Sequence, residues 1–464
     1  MKSLYLCLLV ILLPLRAEER TPPNIVLLFS DDAGYADFGF QGSTSFPTPH
    51  LDRLAARGVI FDQLYVTAAV CGPSRAGLLT GRYQQRFGFE ENNVPGLMDP
   101  AGLTGDDMGL PLGLPTIADH LKSRGYRTAL FGKWHMGNAD RYHPTHRGFD
   151  EFYGFRDGAR SFFAYAADAA DRPSKRMERG FGNFAEPAGY LTDVLAAEAC
   201  DFIERHREQP FFAFVSFHAV HPPMEPDPRF ADMFPELEGK RRKLAQMNWS
   251  LDLACGRIVQ KLHDLGLEEN TLVIFTNDNG GPTDANRSNN YPLSGTKANH
   301  LEGGIRVPGI MVWPDRIKAD TRFAPPASTL DFLPTFMAAA DPGSSPQPEW
   351  DGVDLIPHLT GQDPAAPHRA LFWKKENRGV IRRGDWKLIR FPDRPAELYN
   401  IPRDPAEQHN LAAEHPELVR ELFSELFAWE GELKRPLWQL ERRFETKAAE
   451  RMDIYRTHQR DMVR

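Results

Sequence analysis

An Asp-Asp pair and an Asp-Asn pair each follow an apolar, strand-like segment of this sequence. Side chains of these types bind divalent cations. Asp31-Asp32 comes directly after "NIVLLFS", and Asp278-Asn279 follows "TLVIFTN". Either pair alone is more often a turn or a helix cap, since Asp and Asn favour those positions. Both pairs end predicted core strands, however, and adjacent carboxylates repel one another without a cation. The sequence therefore predicts a Ca²⁺ or Mg²⁺ site built from oxygen ligands.

Basic side chains occupy matching positions after two other strand-like segments. Lys133 and His135 follow "YRTALFG", and His218 and His221 follow "PFFAFVSF". A lone histidine is more often structural than functional. Several basic groups at strand ends, facing carboxylates and a cation, indicate an anionic ligand between them.

The stretch "VCGPSRAGLLTGRY" places Cys71 at a Gly-Pro turn that opens onto a helix predicted to begin at Pro73–Ser74. Cysteine is usually a core residue or half of a disulfide, and a sharp turn suits neither role. The guanidinium of Arg75 recognises tetrahedral oxyanions, and the N–H groups of a helix start also bind anions. In this interpretation Lys297 and Arg306, in "LSGTKANHLEGGIRVP", add further positive charge to the anion site.

The apolar pattern predicts a scaffold that brings these strand ends together. Segments of strand length alternate with helical patterns, which predicts an α/β fold with a large, mostly parallel sheet sandwiched by helices. In such open sheets, ligand groups gather at the carboxyl ends of the strands. The predicted strands are Asn24–Ser30, Tyr126–Gly132, Pro210–Phe217, Thr271–Asp278 and Val307–Trp313. The predicted helices are Pro49–Arg57, Ser74–Leu79, Thr116–Arg124, Thr192–Arg207, Lys243–Leu265 and Thr329–Ala339.

Composition divides the chain into four regions. Residues 1–17 have a basic start and an apolar stretch too short for a membrane span, which predicts a signal peptide and an exported, periplasmic or secreted protein. Residues 18–350 form the main predicted domain. After the connector "DPGSSPQPEWDG", residues 351–440 are predicted to form a smaller C-terminal α+β domain with an antiparallel sheet. Residues 441–464 are a charged tail, predicted as a solvated helix or a frayed end.

The net charge and the cysteines narrow the possible partners and the possible disulfides of this protein. The 464-residue chain carries a net charge of -8, which argues against a nucleic-acid binder that relies on overall charge. We expect no nucleic-acid partner and no stable membrane span, and the oligomeric state stays open. Cys200 and Cys255 lie among helix-periodic apolar residues and are predicted to be buried free thiols, with a disulfide between them left as an alternative.

The stretch "CGPSRAGLLTGR" resembles the signature of the type I, formylglycine-dependent sulfatases of the alkaline-phosphatase superfamily. "DDAGY", "GKWHMG", "NDNGG" and "GTKANHLEGG" resemble other blocks of that family, in its order. The resemblance runs from about Asn24 into the smaller C-terminal domain and implies an alkaline-phosphatase-like fold, with a sulfatase catalytic domain over residues 18–350. "AVHPP" and "LSGTKANHLEGGIRVP" are similar to exported bacterial arylsulfatases and polysaccharide sulfatases.

The resemblance implies that Cys71 is oxidised to formylglycine (3-oxoalanine) by a dedicated maturation enzyme that recognises the unfolded segment. The aldehyde hydrates, one hydroxyl attacks sulfur in line, and the second hydroxyl then loses its proton and expels sulfate. A serine at this position would be left carrying a stable sulfate ester. One Ca²⁺, held by Asp31, Asp32, Asp278 and Asn279, would polarise the sulfate oxygens.

Further catalytic roles also follow from the resemblance. Arg75 and Lys133 would steady the formylglycine hydrate and the sulfate. Asp278 could accept the proton of the attacking hydroxyl, and His135 could accept the proton whose loss triggers sulfate release.

The leaving-group side of the site is implied in the same way. Lys297 and His221 match the family's leaving-group pair, and His221, rather than His218, is predicted to be the general acid. Together with Lys133, these two residues are also the predicted substrate-binding residues.

The predicted substrate is a sulfated carbohydrate. The irregular stretch Asp157–Tyr190 is hypothesised to line the mouth of the pocket and contact a sugar ring, with a solvated surface excursion as the alternative. Its aromatic and basic residues are Phe162, Phe163, Tyr165, Arg172, Lys175 and Arg176. The sugar, the sulfated carbon and exo or endo action stay open.

Two other functions remain as alternatives. A phosphonate-monoester or phosphodiester hydrolase of the same superfamily tends to have Asp-His where this chain has Asp278-Asn279, so Asn279 favours a sulfate ester. A non-catalytic module that binds sulfated glycans would be indicated by loss of Cys71, Arg75 or a metal carboxylate, and all are present.

Overall fold

The computed structural model describes residues 21–94, 96–166, 173–343 and 345–456. The predicted signal peptide, residues 1–17, lies outside the described residues, as do residues 457–464 of the predicted tail. Across the described part of the chain, the helices lack either the length or the apolar character of a membrane span.

The elements alternate along the main part of the chain as predicted. In chain order the strands are β1 (Asn24–Ser30), β2 (Val59–Phe61), β3 (Leu64–Tyr65), β4 (Arg127–Lys133), β5 (Glu151–Phe155), β6 (Glu178–Arg179), β7 (Phe211–Ser216), β8 (Thr271–Asn277), β9 (Arg306–Val307), β10 (Gly309–Val312), β11 (Thr321–Phe323), β12 (Ala327–Ser328), β13 (Ala370–Lys375), β14 (Arg378–Arg383), β15 (Trp386–Arg390) and β16 (Glu397–Asn400). The α-helices are α1 (Pro49–Ala55), α2 (Cys71–Thr80), α3 (Ile117–Lys122), α4 (Leu191–Arg205), α5 (Gly239–Asp264), α6 (Thr283–Asn286), α7 (Glu302–Ile305), α8 (Phe332–Ala340), α9 (Ile356–Leu359), α10 (Pro416–Glu430) and α11 (Arg443–Ile454).

The large sheet has the strand order β11-β2-β10-β8-β1-β7-β4-β5-β6. Its central strands β8, β1, β7, β4 and β5 are parallel to one another, which confirms a mostly parallel sheet. The predicted strand Val307–Trp313 is two strands instead of one. Pro308 has no N–H to donate to a ladder, and it separates β9, in a small sheet with β3 and β12, from β10. β10 runs antiparallel to β8 and β2.

Helices cover both faces of the large sheet because its central strands are apolar on both sides. Ile25, Leu27 and Phe29 of β1 belong to the same buried cluster as apolar residues of α2, α3 and α8. Val26 and Leu28, which point the opposite way, belong to the cluster that includes residues of α1, α4 and α5. The sandwich predicted from the sequence is therefore confirmed.

The C-terminal region contains the predicted antiparallel sheet, in the order β13-β14-β15-β16. The predicted Gly-Asp turn joins β14 to β15, and Gly384 has a φ of 54°, which suits a glycine. One face of this sheet shares the core of the main fold, and the other packs against α10. The boundary between residues 350 and 351 stays a prediction.

The charged tail forms a helix, α11, but it is not solvated on every side. Met452 is fully buried. Beyond the helix, the carbonyl oxygen of Tyr455 accepts a hydrogen bond from the N–H of Gly295 at 3.0 Å, and that of Arg456 accepts one from the hydroxyl of Ser294 at 2.5 Å. We call these contacts of Tyr455 and Arg456 the C-terminal latch. It attaches the end of the described chain to the loop that carries Lys297.

Candidate active site

Four neighbouring strands, in the order β8-β1-β7-β4, end at one edge of the large sheet. They are parallel, so their carboxyl ends meet there, as the sequence predicts. β4 ends on Lys133, β1 and β8 are followed directly by the predicted polar pairs, and β7 is followed by Phe217 and then His218. The residues that this edge brings together are Asp31, Asp32, Lys133, His218, His221, Asp278 and Asn279.

Asp31 and Asp32 are buried and each is paired with a lysine. The ammonium of Lys133 lies 2.6 Å from Asp31 Oδ2, and the ammonium of Lys297 lies 2.6 Å from Asp32 Oδ1. Burial would raise the pKa of Asp31, but the charges of Lys133 and His221 hold it well below its ordinary value. Lys297 and His221 lower the pKa of Asp32 against its burial in the same way. Both carboxylates are therefore ionised at neutral pH.

Arg75 and Asp278 form a buried ion pair beside Asp31. The Nε and one terminal nitrogen of Arg75 donate to Asp278 Oδ2 at 3.1 and 2.9 Å. The other terminal nitrogen donates to the hydroxyl of Ser216 at 2.6 Å. Burial, together with repulsion from Asp31, raises the pKa of Asp278 to about 6. The guanidinium is thus held rigidly among acceptors, with little freedom to reorient.

Cys71 lies at the centre of these charges. Its Sγ is 3.0 Å from the ammonium of Lys297 and 3.7 Å from Asp31 Oδ1. Burial and the nearby carboxylate of Asp278 raise the pKa of the Cys71 thiol to about 12. An unmodified cysteine here would be a protonated thiol at neutral pH and a poor nucleophile.

The helix that carries Cys71 begins earlier than predicted. Val70 is extended and α2 starts at Cys71, two residues before the expected Pro73–Ser74. The N–H of Gly72 donates to the side-chain oxygen of Asn92 at 2.8 Å. The N–H of Ser74, the first amide of the predicted helix, donates to the backbone oxygen of Val70 at 3.2 Å, so it is paired within the helix and does not point at an anion as expected.

Both candidate histidines lie beside the aspartate pair. Nδ1 of the buried His218 is 3.4 Å from Asp31 Oδ2, and its Nε2 faces the backbone oxygen of Arg160 at 3.0 Å. His221 stacks on His218 with ring centroids 5.0 Å apart, and its Nε2 is 3.5 Å from Asp32 Oδ2. The side chain of His221 is 18% exposed while that of His218 is fully buried, so His221 is the histidine within reach of a ligand. Burial lowers the pKa of His221 to about 3, although both aspartates oppose this.

His135 and Arg306 differ in their hydrogen bonding, since one ring nitrogen of His135 is unpaired in the described chain while Arg306 is bonded to acceptors of its own. His135 is buried against Gly158, and within the described residues its Nδ1 has no hydrogen-bond partner. Burial and the charge of Lys133 lower its pKa well below the ordinary value. The guanidinium of Arg306 instead bonds the backbone oxygen of Asp62 at 2.9 Å and lies 3.6 Å from Glu302. The prediction that Arg306 adds charge to the anion site is wrong, because β9 directs its side chain to these other acceptors.

The donor set fits a cation that prefers oxygen ligands. Ligand atoms of Asp31, Asp32, Cys71 and His221 all lie within 4.8 Å of one another. The amide nitrogen of Asn279 donates to Asp32 at 2.7 Å, which leaves its buried Oδ1 without a partner among the described residues. A buried amide oxygen beside two carboxylates is a suitable ligand for Ca²⁺.

Sequence reasoning missed three polar residues that hold the site together. Ser216 accepts from Arg75 and donates to the backbone oxygen of Lys133 at 2.7 Å. Asn277 accepts from the hydroxyl of Ser30 at 2.9 Å, and Asn286 donates to the backbone oxygen of Asp32 at 2.9 Å. Ser216 and Asn277 are the last residues of buried strands. A polar residue at the end of an apolar strand is the sequence signal that could have identified both.

The excursion Asp157–Tyr190 is described except for residues 167–172, so Arg172 lies outside the described residues. Phe162 is buried and stacks on His218 at 4.9 Å. The next residue, Phe163, is 36% exposed. Tyr165, Lys175 and Arg176 are half-buried. Contact of this segment with a sugar stays a prediction.

The three remaining cysteines are free and buried, namely Cys71, Cys200 and Cys255. The prediction of free buried thiols at Cys200 and Cys255 is confirmed, and the alternative of a disulfide between them is wrong.

Comparison with known proteins identifies the class to which this fold and site belong. A family model described as "Sulfatase" matches residues 23–342. Human arylsulfatase A is 33% identical over 86% of each chain, and rat steryl-sulfatase is 30% identical over 90% of this chain and 92% of its own. A crystal structure of Ps i-CgsB in complex with k-i-k-neocarrahexaose superposes with a TM-score of 0.84 and 31% identity, covering 95% of this chain and 99% of that one.

The fold is therefore that of an alkaline-phosphatase-like hydrolase. The chain belongs to the sulfatase family and is an enzyme that hydrolyses sulfate esters. The phosphonate monoester hydrolase of Agrobacterium radiobacter, at 21% identity and a TM-score of 0.66, shares the fold alone.

Proposed function

We propose that this sulfatase removes sulfate from a sulfated carbohydrate, using formylglycine formed from Cys71 and one Ca²⁺ bound beside it. The main support is the position of Cys71, whose Sγ lies between the ammonium of Lys297 and the carboxylate of Asp31, at 3.0 and 3.7 Å. Among the relatives, Ps i-CgsB was solved with k-i-k-neocarrahexaose, and the dog N-acetylgalactosamine-6-sulfatase is 34% identical over 74% of this chain and 67% of its own. These names favour a sulfated sugar.

Asp31, Asp32, Asp278 and Asn279 would hold the Ca²⁺, which when bound supplies positive charge for the sulfate oxygens and favours the ionised nucleophile. The orphaned Oδ1 of Asn279 supports this set. Asp278 Oδ2 accepts two hydrogen bonds from Arg75, whereas Oδ1 accepts one, from the N–H of Asp32 at 3.3 Å, so Oδ1 is the oxygen with more capacity for the ion.

The remaining residues of the proposed site bind the sulfate and move protons. Arg75 and Lys133 carry the positive charge that faces the sulfate, held in place by Asp278 and Asp31 respectively. His135 has an Nδ1 without a partner in the described chain, which leaves it able to accept the proton that triggers sulfate release. Asp278 remains the candidate acceptor for the proton of the attacking hydroxyl.

The leaving-group side is assigned to Lys297 and His221. The ammonium of Lys297 bridges Asp32 and the Cys71 sulfur, so it stands where an ester oxygen would meet residue 71. The partly exposed His221 would donate the proton to the departing sugar oxygen, since a bound sulfate anion favours the protonated imidazole and so opposes the burial that lowers its pKa.

Mass spectrometry of the tryptic peptide Gly58–Arg75 tests the modification directly. In protein made with the maturation enzyme, the peptide should be lighter by about 18 Da, because the thiol carbon becomes a carbonyl. Fully active protein with an unmodified thiol at position 71 would contradict the proposed nucleophile. An unmodified thiol in inactive protein from the native host would instead favour a non-catalytic glycan-binding module.

Calcium is expected to stabilise the wild type and to stabilise Asn279→Ala far less. A ligand that binds only the folded state at 100 times its Kd adds about 2.7 kcal/mol. The measurement is the melting temperature of chelator-treated protein across a Ca²⁺ titration. Asn183→Ala, at an exposed position, serves as the matched control and should follow the wild type. Equal shifts in Asn279→Ala and wild type would remove Asn279 from the ligand set.

His221→Ala is expected to lose activity in proportion to how poor the leaving group is. A general acid contributes about 10²–10⁴-fold, chiefly where the departing oxygen needs a proton. Turnover of a sugar sulfate should therefore fall by that factor, while 4-nitrophenyl sulfate, whose phenolate leaves unaided, should be affected much less. His263→Ala, at an exposed histidine, is the control. Equal losses on both esters would exclude His221 as the general acid.

A further inference from the structure

A cavity of about 770 Å³ lies at the same edge of the sheet as the candidate active site. α4 leads into the start of β7, so the first turn of α4 lies at the edge where β7 ends. The cavity is formed by this first turn, the excursion and the segment Asp227–Arg229. The lining residues that matter here are Phe163, Tyr190, Asp193, Asp227, Arg229 and Arg257.

A continuous row of stacked rings connects the cavity to the active site. Tyr190, in the cavity wall, stacks on Phe162 with centroids 5.5 Å apart. Phe162 stacks on His218 at 4.9 Å, and His218 stacks on His221 at 5.0 Å. Each step is close to the width of one sugar ring. Phe162 and His218 are buried, so the row gives the separation between the cavity and His221 and is not itself a binding surface. A glycan of a few sugar units is long enough to span that separation.

The lining offers the two kinds of surface that bind a sugar ring. Phe163 is 36% exposed and lies 5.6 Å from Tyr190 in an edge-to-face arrangement, so it presents an aromatic face to which the C–H face of a pyranose can pack. The guanidinium of Arg229 is paired with the carboxylates of Asp193 and Asp227, which fixes planar donors and acceptors for hydroxyl groups.

The charges that line the cavity balance one another, so they do not repel an anionic sugar. The two carboxylates of Asp193 and Asp227 are offset by Arg229 and by Arg257, which is exposed at the rim. Arg257 is thus placed to meet a sulfate or carboxylate carried by a neighbouring sugar. The volume lies within the range of natural ligand pockets, about 300–1,000 Å³.

We infer that this cavity is a subsite for a further sugar of the same sulfated oligosaccharide, stacked on Phe163 and contacted at its charged group by Arg257. The inference rests on the proposed function and specifies its substrate as a glycan chain bound over several sugars. An apolar aglycone in the cavity is the competing occupant, and the experiment separates the two.

The experiment compares matured wild type, Phe163→Ala and Arg257→Ala on substrates of increasing length. The substrates are 4-nitrophenyl sulfate, monosaccharide sulfates, and disaccharide to hexasaccharide series from carrageenan and from chondroitin 6-sulfate. We expect kcat/KM on the longer sugars to fall about 10-fold in each variant, with 4-nitrophenyl sulfate and the monosaccharides unchanged. Phe427→Ala removes an exposed aromatic residue of α10, outside both the cavity lining and the excursion, and it should match the wild type.

The outcomes distinguish failure of the subsite from failure of the proposed function. Equal losses on short and long substrates, or no loss on the long ones, would overturn the subsite while leaving a carbohydrate sulfatase in place. If Phe163→Ala loses activity on hydrophobic aryl sulfates but on no oligosaccharide, the occupant is an aglycone and the inference is wrong. If matured wild type hydrolyses 4-nitrophenyl sulfate and no carbohydrate sulfate, the proposed substrate class and the subsite both fail.

Discussion

Cys71→Ala is expected to abolish sulfate release, with a fall in kcat of at least about 10³-fold. The side chain at position 71 is the proposed nucleophile, and the charges of Lys297 and Asp31 around it have no other reacting atom to act on. Cys71→Ser should be informative in a different way. It should release the alcohol once and then stop, since a serine sulfate lacks the second hydroxyl that expels sulfate. Sulfate is measured by ion chromatography, and alcohol release by single-turnover kinetics.

A matched control separates loss of the nucleophile from general damage. Cys200→Ala removes a thiol that is equally buried but lies in α4, and it should retain wild-type turnover. Cys71→Ala is expected to bind Ca²⁺ and to melt within a few degrees of the wild type. Sulfate release by Cys71→Ala at the wild-type rate would refute the proposed mechanism.

Lys387→Met is expected to lower the free energy of unfolding by about 3–5 kcal/mol at pH 8, because it leaves the buried carboxylate of Glu407 without its cation and that of Glu302 with only the more distant Arg306. The ammonium of Lys387 is fully buried and lies 2.9 Å from both Glu302 and Glu407. Lys387 is on β15 and Glu302 is in α7, so the triad joins the C-terminal sheet to the main fold close to the Lys297 loop. Chemical denaturation at several pH values measures the effect.

The pH dependence of this loss has a defined sign. Burial already raises the pKa of Glu407 from 4.5 to about 7 in the wild type. A raised pKa in the folded state means that stability is lost as the pH rises through that value. The penalty in Lys387→Met should therefore be smaller at pH 5, where the carboxyls can protonate, than at pH 8. Lys261→Met, which breaks an exposed pair with Glu204, is the control and should change stability little at either pH. A penalty independent of pH would mean that lost packing, and not unpaired charge, is the cause.

The sequence was sufficient to predict that these side chains lie at one edge of the sheet, because the pattern that indicates a strand end is local. Asp31, Lys133 and Asp278 each end an apolar run that is long enough for one strand, and parallel strands place such ends along one edge. That inference needs no knowledge of strand order. The separation of β9 from β10 could also have been predicted from the sequence, since Pro308 interrupts the apolar segment Val307–Trp313.

Other features depend on tertiary contacts that no local pattern specifies. Ser216 and Asn277 hold the site only because β7 and β8 flank β1, and the sequence does not state that order. The prediction for Arg306 is wrong because the sequence around Lys297 shows that an arginine is nearby but not the direction in which its side chain points. The amide of Gly72 in the first turn of α2 pairs with Asn92, 20 residues further along the chain, and no pattern around Cys71 specifies that partner.

The C-terminal latch has a consequence for the order of events during synthesis. The partner of Ser294 in that latch, Arg456, leaves the ribosome 162 residues later than Ser294 does. Until then the loop is held to the main fold by other hydrogen bonds, such as that from the N–H of Ala298 to the backbone oxygen of Ala69 at 2.7 Å, but it lacks the contacts of the latch. Under the proposed modification, position 71 is therefore synthesised, and can meet a modifying enzyme, before the segment that completes this side of the pocket exists.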